Sequence, residues 1–260
     1  MGGVRHEPAG HKEEIEMQSW LGPVFGEFFG TLVLIVFGDG DVAATALKGS
    51  KGEGAGWVHV NWGWAWAVVM GIFAAQATGS PQADINPAVT LAKFMAGTYA
   101  ANEALVVMAA QFVGAFLGAV IVYFAYLNHW EGTAPDAQLA VFCTGPARRN
   151  YPCNFLTEVI ATFFLVTGIM CIFSKGVGGQ GGWMGAFMVG GLIYVLGAAL
   201  GGPTGYSMNP ARDFGPRVAH FVLPMAGKRD SDWGYAWVGT IGPWAGAAVA
   251  FFFCRAFGLM

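Results

Sequence analysis

Two copies of the triplet Asn-Pro-Ala carry the clearest chemical signal in this chain of 260 residues. Proline suits the first position of an α-helix and asparagine suits the N-cap before it, so each triplet predicts a helix that starts abruptly. A helix N-terminus carries roughly half a positive charge, and asparagine amides donate hydrogen bonds. Two such ends facing each other would repel cations and orient an oxygen atom between them. The six residues are Asn86, Pro87, Ala88, Asn209, Pro210 and Ala211.

The composition places these triplets in a membrane protein. A soluble domain has roughly 25% charged residues, whereas this chain has 11% charged and 55% hydrophobic residues. Crossing a hydrocarbon layer of about 30 Å takes about 20 apolar residues, and six stretches are that long. Lipid is therefore an expected partner, and the scattered basic residues argue against nucleic acid. The predicted spans are approximately 21–47, 57–77, 104–127, 155–174, 183–200 and 233–257.

An internal repeat relates the two triplets. GEFFGTLVLIVFG from Gly26 matches TEVIATFFLVTGI from Thr157, and INPAVTLAK from Ile85 matches MNPARDFGP from Met208. Each repeat holds three spans, so the second repeat is expected to lie inverted relative to the first. The short helices, 86–97 and 209–222, are too short to cross and are predicted to enter from opposite faces and meet. The fold class predicted is all-α, with six spans and two half-helices.

Three ionisable residues stand in apolar surroundings. Arg212 follows the second triplet, and an arginine at the bilayer centre costs about 2.5 to 3.5 kcal/mol on insertion scales, so it is expected to face water. Glu27 and Glu158 occupy matching points of the repeat. We expect both carboxylates to accept backbone amides from the non-helical loops before the half-helices, which lipid cannot satisfy. Proton coupling is the alternative role for these two acids.

The sequence from 22 to 257 resembles the aquaglyceroporins, the glycerol-facilitator branch of the aquaporins. Both triplets carry the resemblance, together with the longer segment GGPTGYSMNPARDFGPR from Gly201. It implies a passive channel, a homotetramer in the plasma membrane and cytoplasmic termini. On that basis 1–19 is a cytoplasmic tail and 20–260 one channel domain, with repeats at about 20–130 and 150–258. The distribution of lysine and arginine between loops mildly favours the opposite orientation.

The resemblance also implies which residues form the narrow constriction. The matching positions are Trp64, Gly197, Tyr206 and Arg212, with Trp66 as an alternative to Trp64. Water-selective relatives tend to have histidine where Gly197 stands, so glycine is expected to leave room for a larger solute. Asp213, directly after Arg212, is also typical of the glycerol branch.

The loop before the first triplet departs from the family. Relatives read SGAHLNPA, whereas this chain reads GSPQADINPA from Gly79, so Asp84 replaces a histidine. A carboxylate facing the pore near its cytoplasmic mouth would disfavour anions. Asp84 can equally face away from the pore, and the sequence leaves both positions open.

The expected function is passive passage of glycerol and other small uncharged solutes, with water. The alternatives are a water-selective aquaporin, a channel for undissociated small organic acids such as lactic acid, a secondary transporter, and a structural membrane protein that conducts little. The residues supply no nucleophile with a base, no metal cluster and no phosphate loop, so neither an enzyme nor a bound metal or cofactor is expected.

Overall fold

The computed structural model describes residues 9 to 260, with side chains from Leu21 onward. Across this part the secondary structure consists of helices and turns, which confirms the predicted all-α class. The α-helices are α1 (Ala9–Ala46), α2 (Trp57–Ala77), α3 (Pro87–Met95), α4 (Ala101–Ala125), α5 (Pro135–Phe142), α6 (Tyr151–Phe173), α7 (Gly182–Leu200), α8 (Pro210–Val222) and α9 (Trp233–Ala256).

Six of the described helices are long and apolar enough to cross a membrane, namely α1 from Leu21, α2, α4, α6, α7 and α9. They coincide with the six predicted spans, and the largest shift is at α6, which begins at Tyr151 where 155 was expected. The predicted tail, 1–19, is helical from Ala9, and its first eight residues lie outside the described part. The short helix α5, in the loop between the repeats, was not predicted because eight residues give little periodic signal.

The half-helices α3 and α8 begin as the triplets predict. Proline occupies the first turn of each, and the asparagine before it has an extended backbone. The Ala88 amide donates to Asn86 Oδ1 at 2.9 Å, and the Ala211 amide donates to Asn209 Oδ1 at 3.0 Å. Each asparagine therefore caps its own helix, so the first turn is fixed in direction.

The two repeats interlock through these half-helices. Within each repeat the first span packs against the last, α1 against α4 and α6 against α9. Between repeats, α3 packs against α9 and α8 packs against α4. Each half-helix thus lies against the closing span of the other repeat, which brings the two helix starts to the middle of the molecule.

Glycines at matching points permit the closest of these contacts. A Cβ atom at Gly114 of α4 would run into the Phe28 carbonyl oxygen of α1, and one at Gly246 of α9 would lie 2.5 Å from the Val159 oxygen of α6. Such distances are far below van der Waals contact, so these positions admit no side chain while the helices keep their spacing.

Replacing Gly114 by valine should therefore destabilise the protein, by about 1–3 kcal/mol or more, because the added methyl groups force α4 away from α1. The midpoint of thermal unfolding in detergent measures the effect, with unfolding monitored as the loss of monodisperse protein. Gly191→Val is the matched control, since no atom lies within 4 Å of the Cβ position at Gly191 in α7. Equal midpoints for the two variants would contradict this account of the contact.

Candidate functional site

The two asparagines of the triplets meet at the centre of the molecule. Asn86 Nδ2 donates to the Met208 carbonyl oxygen at 2.9 Å, and Asn209 Nδ2 donates to the Ile85 carbonyl oxygen at 2.8 Å. Each amide thus binds the carbonyl that directly precedes the other asparagine. An amide nitrogen carries two hydrogens, so each asparagine retains one N–H beside the cavity that both residues line.

The loops that lead into the half-helices have an unusual backbone in both repeats. Ala83 and Ile85 have φ values of 44° and 45°, and Tyr206 and Met208 have φ values of 41° and 48°. Residues other than glycine rarely adopt this left-handed region, and a β-branched residue such as Ile85 does so least of all. The surroundings must therefore hold these loops in place.

Glu27 holds the first of these loops. The amides of Asp84 and Ile85 donate to its carboxylate at 2.8 and 2.7 Å, and the Ser80 hydroxyl donates at 2.6 Å. Gln111 Nε2 adds a fourth hydrogen bond at 2.8 Å, and Glu27 is completely buried. The carboxylate therefore satisfies loop amides that would otherwise be unpaired inside the protein.

Glu158 holds the second loop in the same way. The amides of Ser207 and Met208 each donate to its carboxylate at 3.0 Å, and Glu158 is completely buried. Both acids thus accept backbone amides from the loops that precede the half-helices.

A cavity of about 340 Å³ follows the two loops and the two asparagines. Its walls are mostly apolar side chains of α1, α2, α6 and α7, and its polar groups come from the loops and half-helices. Non-helical backbone at membrane depth occurs where it lines such a cavity. The lining includes Trp64, Tyr206 and Arg212 on one side of the asparagines, and Asp84 and Lys93 on the other.

Arg212, Trp64 and Tyr206 form one end of this cavity. The Arg212 guanidinium carbon lies 4.1 Å from the centre of the Trp64 ring, and Nη1 donates to the Phe142 carbonyl oxygen at 3.3 Å. The Tyr206 ring packs edge-on against Trp57 with 5.5 Å between ring centres. A cation over an aromatic face in a desolvated site is favourable, so Arg212 is held without using most of its N–H groups.

Trp64 and Trp66 lie in different surroundings. Trp64 is 5% exposed and lines the cavity, whereas Trp66 is 38% exposed and packs on the outer surface against Trp62 and Phe187. Two residues of an α-helix separated by one position point to nearly opposite sides, so only one of them reaches the cavity.

Gly197 lies next to the Tyr206 ring and is not among the residues that line the cavity. A Cβ atom there would lie 2.8 Å from Tyr206 Cζ and 2.5 Å from Asn61 Oδ1. The space freed by the missing side chain is therefore taken by the Tyr206 ring and the Asn61 amide, not directly by solute. The absence of a side chain at Gly197 thus lets the Tyr206 ring lie against α7.

Asp213 is a structural partner of Arg217 in α8. Its carboxylate accepts hydrogen bonds from Arg217 Nε at 3.2 Å and Nη2 at 2.9 Å, and from the Thr144 amide at 2.8 Å. Both Asp213 and Arg217 are completely buried. Asp213 thus fastens the loop after α5 to the second half-helix and lies away from the cavity lining.

Asp84 lies in a network that offsets its charge. Its side chain is buried, forms an ion pair with Lys93, and accepts hydrogen bonds from Tyr99 at 2.7 Å and Thr90 at 3.0 Å. Burial, and then the nearby Asp84 carboxylate, raise the pKa of the Tyr99 hydroxyl, so it remains a hydrogen-bond donor. Lys93 therefore offsets the charge of Asp84, and both residues line the cavity.

Two charged residues of the site were missed in the sequence. Lys93 lies on α3 and faces the cavity, and Asp39 of α1 lies 3.8 Å from Arg212. Asp39 had a usable signal, since an acidic residue inside a predicted span is uncommon and marks a site. Lys93 gave none, because a lysine near a helix C-terminus is ordinary.

A cavity that passes two half-helices meeting end to end, inside a bundle of six spanning helices, defines a membrane channel. The chain belongs to the major intrinsic protein family, whose sequence profile matches residues 14–253. It is therefore a multi-pass integral membrane protein.

Known proteins of this family resemble the chain over most of its length. A probable glycerol uptake facilitator protein of Thermotoga maritima is 48% identical, and the match covers 84% of this chain and 91% of that protein. A D/L-lactic acid transporter of Lactiplantibacillus plantarum is 38% identical over 90% of this chain and 97% of that protein. The X-ray structure of the aquaglyceroporin from Plasmodium falciparum has a TM-score of 0.79 at 27% identity, covering 90% of this chain and 95% of that one.

Replacing Glu27 by glutamine should destabilise the first loop. A glutamine amide offers one acceptor oxygen where the carboxylate has two, so at least one buried amide loses its partner at a cost of about 1–3 kcal/mol. Thermal unfolding in detergent measures this loss of stability. Glu53→Gln is the control, because Glu53 also accepts a backbone amide, that of Gly49 at 2.8 Å, but lies in an exposed loop. If both variants unfold at the wild-type temperature, Glu27 does not brace the loop.

Proposed function

We propose that this chain is a passive channel for glycerol and other small uncharged solutes, with water passing through the same path. The observation that carries the proposal is that Arg212, stacked on the Trp64 ring at 4.1 Å, lines the same cavity as the Tyr206 ring. One side of a solute there meets hydrogen-bond donors and the other side meets apolar ring surface. A polyol has this division, with hydroxyls along one edge of a carbon chain.

The proposed selectivity follows from the cost of dehydration. Burying a hydroxyl without a hydrogen bond costs about 2–7 kcal/mol, so a solute enters only where each hydroxyl finds a partner. Arg212 uses one described hydrogen bond to protein, to the Phe142 carbonyl, which leaves other N–H groups for solute oxygens. The amides of Asn86 and Asn209 would then receive the solute at the centre.

Exclusion of cations is proposed to come from the two half-helices. The N-terminal ends of α3 and α8 each carry roughly half a positive charge and meet at one point. The positive ends of half-helix dipoles are one device by which aquaporin-type channels exclude protons and cations. An asparagine amide that donates to a passing water also interrupts a chain of hydrogen-bonded waters.

Undissociated lactic acid is a second candidate solute. One relative is named a D/L-lactic acid transporter, and the neutral acid is a three-carbon molecule with hydroxyl and carboxyl groups along one edge. A water-selective channel is the remaining channel alternative. Secondary transport coupled to protons through Glu27 or Glu158 is disfavoured, because hydrogen bonds from the loops occupy both carboxylates.

We further propose a homotetramer in the plasma membrane, with cytoplasmic termini, acting without catalysis or a bound cofactor. Large apolar side chains cover the outside of the spans, including Trp62, Phe164 and Phe252, which suits contact with lipid and with neighbouring copies.

Stopped-flow light scattering on proteoliposomes tests the proposed function, with water, glycerol, urea and lactic acid compared in one preparation. Glycerol flux should exceed that of empty vesicles many-fold, rise in proportion to its gradient, and be unaffected by an imposed proton gradient. Saturation or stimulation by protons would favour a transporter. Swelling no faster than in empty vesicles would favour a structural protein.

Replacing Gly197 by histidine should reduce glycerol flux far more than water flux, because the imidazole would push the Tyr206 ring into the cavity. The two permeabilities are measured on the same vesicles. Gly191→His is the matched control on the same helix, where the added side chain meets no described atom within 4 Å of its Cβ position. Equal losses of water and glycerol flux in Gly197→His would remove Gly197 from the assigned constriction.

A further inference from the structure

A buried carboxylate on α1 lies beside the constriction. Asp39 is completely buried, and its Oδ1 atom is 3.8 Å from Arg212 Nη1. Among the residues that the structure describes, neither Asp39 oxygen has a hydrogen-bond partner. Burying a charge costs much unless it is paired and hydrogen-bonded, and Arg212 is the one cationic side chain within 4 Å of Asp39 in the described part of the chain.

The second arginine of α8 shows what a purely structural pair looks like. Arg217 makes two hydrogen bonds to Asp213 Oδ2, at 3.2 and 2.9 Å, and donates to the carbonyl oxygens of Ser231 at 2.8 Å and Thr144 at 3.0 Å. Its N–H groups are therefore spent on the protein. Arg212 and Asp39 form no hydrogen bond, so their relation differs in kind from that of Arg217 and Asp213.

The separation of 3.8 Å decides what Asp39 can do to Arg212. It is beyond the range of a hydrogen bond between nitrogen and oxygen, so Asp39 takes no N–H from the guanidinium. It is still short enough for a strong charge interaction in a partly desolvated site. Asp39 can thus cancel the charge of Arg212 and leave its donors free.

We propose that Asp39 is the counter-ion of Arg212 and makes the constriction electrically neutral. Arg212 then acts on solutes as a hydrogen-bond donor, and small anions are not retained beside it. This inference rests on the proposed function, in which Arg212 lies at the constriction, and it specifies the solute class as neutral hydroxyl compounds and undissociated acids.

The test measures block by an anion in proteoliposomes that carry the full-length channel. Glycerol flux is recorded with sodium nitrate, a small planar anion, and with osmotically matched sodium gluconate. The wild-type flux should be the same in both salts. In Asp39→Asn, which keeps the size of the side chain, nitrate at concentrations that leave the wild-type flux unchanged should reduce glycerol flux at least about twofold, because Arg212 loses its compensating charge.

Three further variants separate charge from packing. Asp41→Asn is the matched control, since Asp41 lies two residues along α1 and pairs with His59 at 3.0 Å, and it should remain insensitive to nitrate. Asp39→Glu keeps the charge and should also remain insensitive. Asp39→Asn combined with Arg212→Val should lose the block, because nitrate then has no cation to bind.

The outcomes distinguish this inference from the proposed function. Wild-type glycerol flux without nitrate tests the channel itself, whereas the response to nitrate tests Asp39. The inference is overturned if nitrate blocks the wild-type channel at the concentrations that block Asp39→Asn. It is also overturned if nitrate leaves glycerol flux through Asp39→Asn unchanged. If Asp39→Asn fails to fold, Asp39→Ser makes the same test, since it also removes the charge and keeps a small polar side chain.

Discussion

The two reciprocal hydrogen bonds between asparagine amides and loop carbonyls are the constraint on which the rest of the structure depends. Each joins the start of one half-helix to the backbone that precedes the other, at 2.9 and 2.8 Å. Two positive helix ends would repel each other without them. Because both bonds lie at the centre of the molecule, they fix the distance between the repeats and the position of the polar groups in the cavity.

This constraint carries outward into the packing. The loops that carry these carbonyls adopt left-handed backbone angles, and their amides have no partner within a helix. Glu27 and Glu158 accept these amides from inside the first span of each repeat. Glycines such as Gly114 and Gly246 then let the closing spans approach the helices that carry the glutamates. Strain at the site is thus supported by buried groups at equivalent places in both repeats.

Charge is distributed unevenly over the second half-helix. Arg217 is consumed by hydrogen bonds to Asp213 and loop carbonyls and secures the fold, whereas Arg212 retains free donors beside the cavity. Two arginines five positions apart therefore serve different purposes. What distinguishes them is the distance from each guanidinium to its nearest carboxylate. On the other side of the asparagines, Asp84 and Lys93 offset each other.

The sequence by itself determined the six spans, the inverted repeat and the half-helix starts, because hydrophobic length, an N-cap and a first-turn proline are local properties of the chain. It also placed Glu27, Glu158 and Arg212 as polar exceptions inside apolar runs. Only the tertiary structure decided that Trp64, and not Trp66, reaches the cavity and that the Tyr206 ring lies against Gly197. It also decided that Asp39 lies beside Arg212 and that Lys93 pairs with Asp84. These outcomes depend on which helices pack together. Asp39 and Arg212, like Gly197 and Asn61, are more than a hundred positions apart in the chain, so no local sequence pattern encodes their contacts.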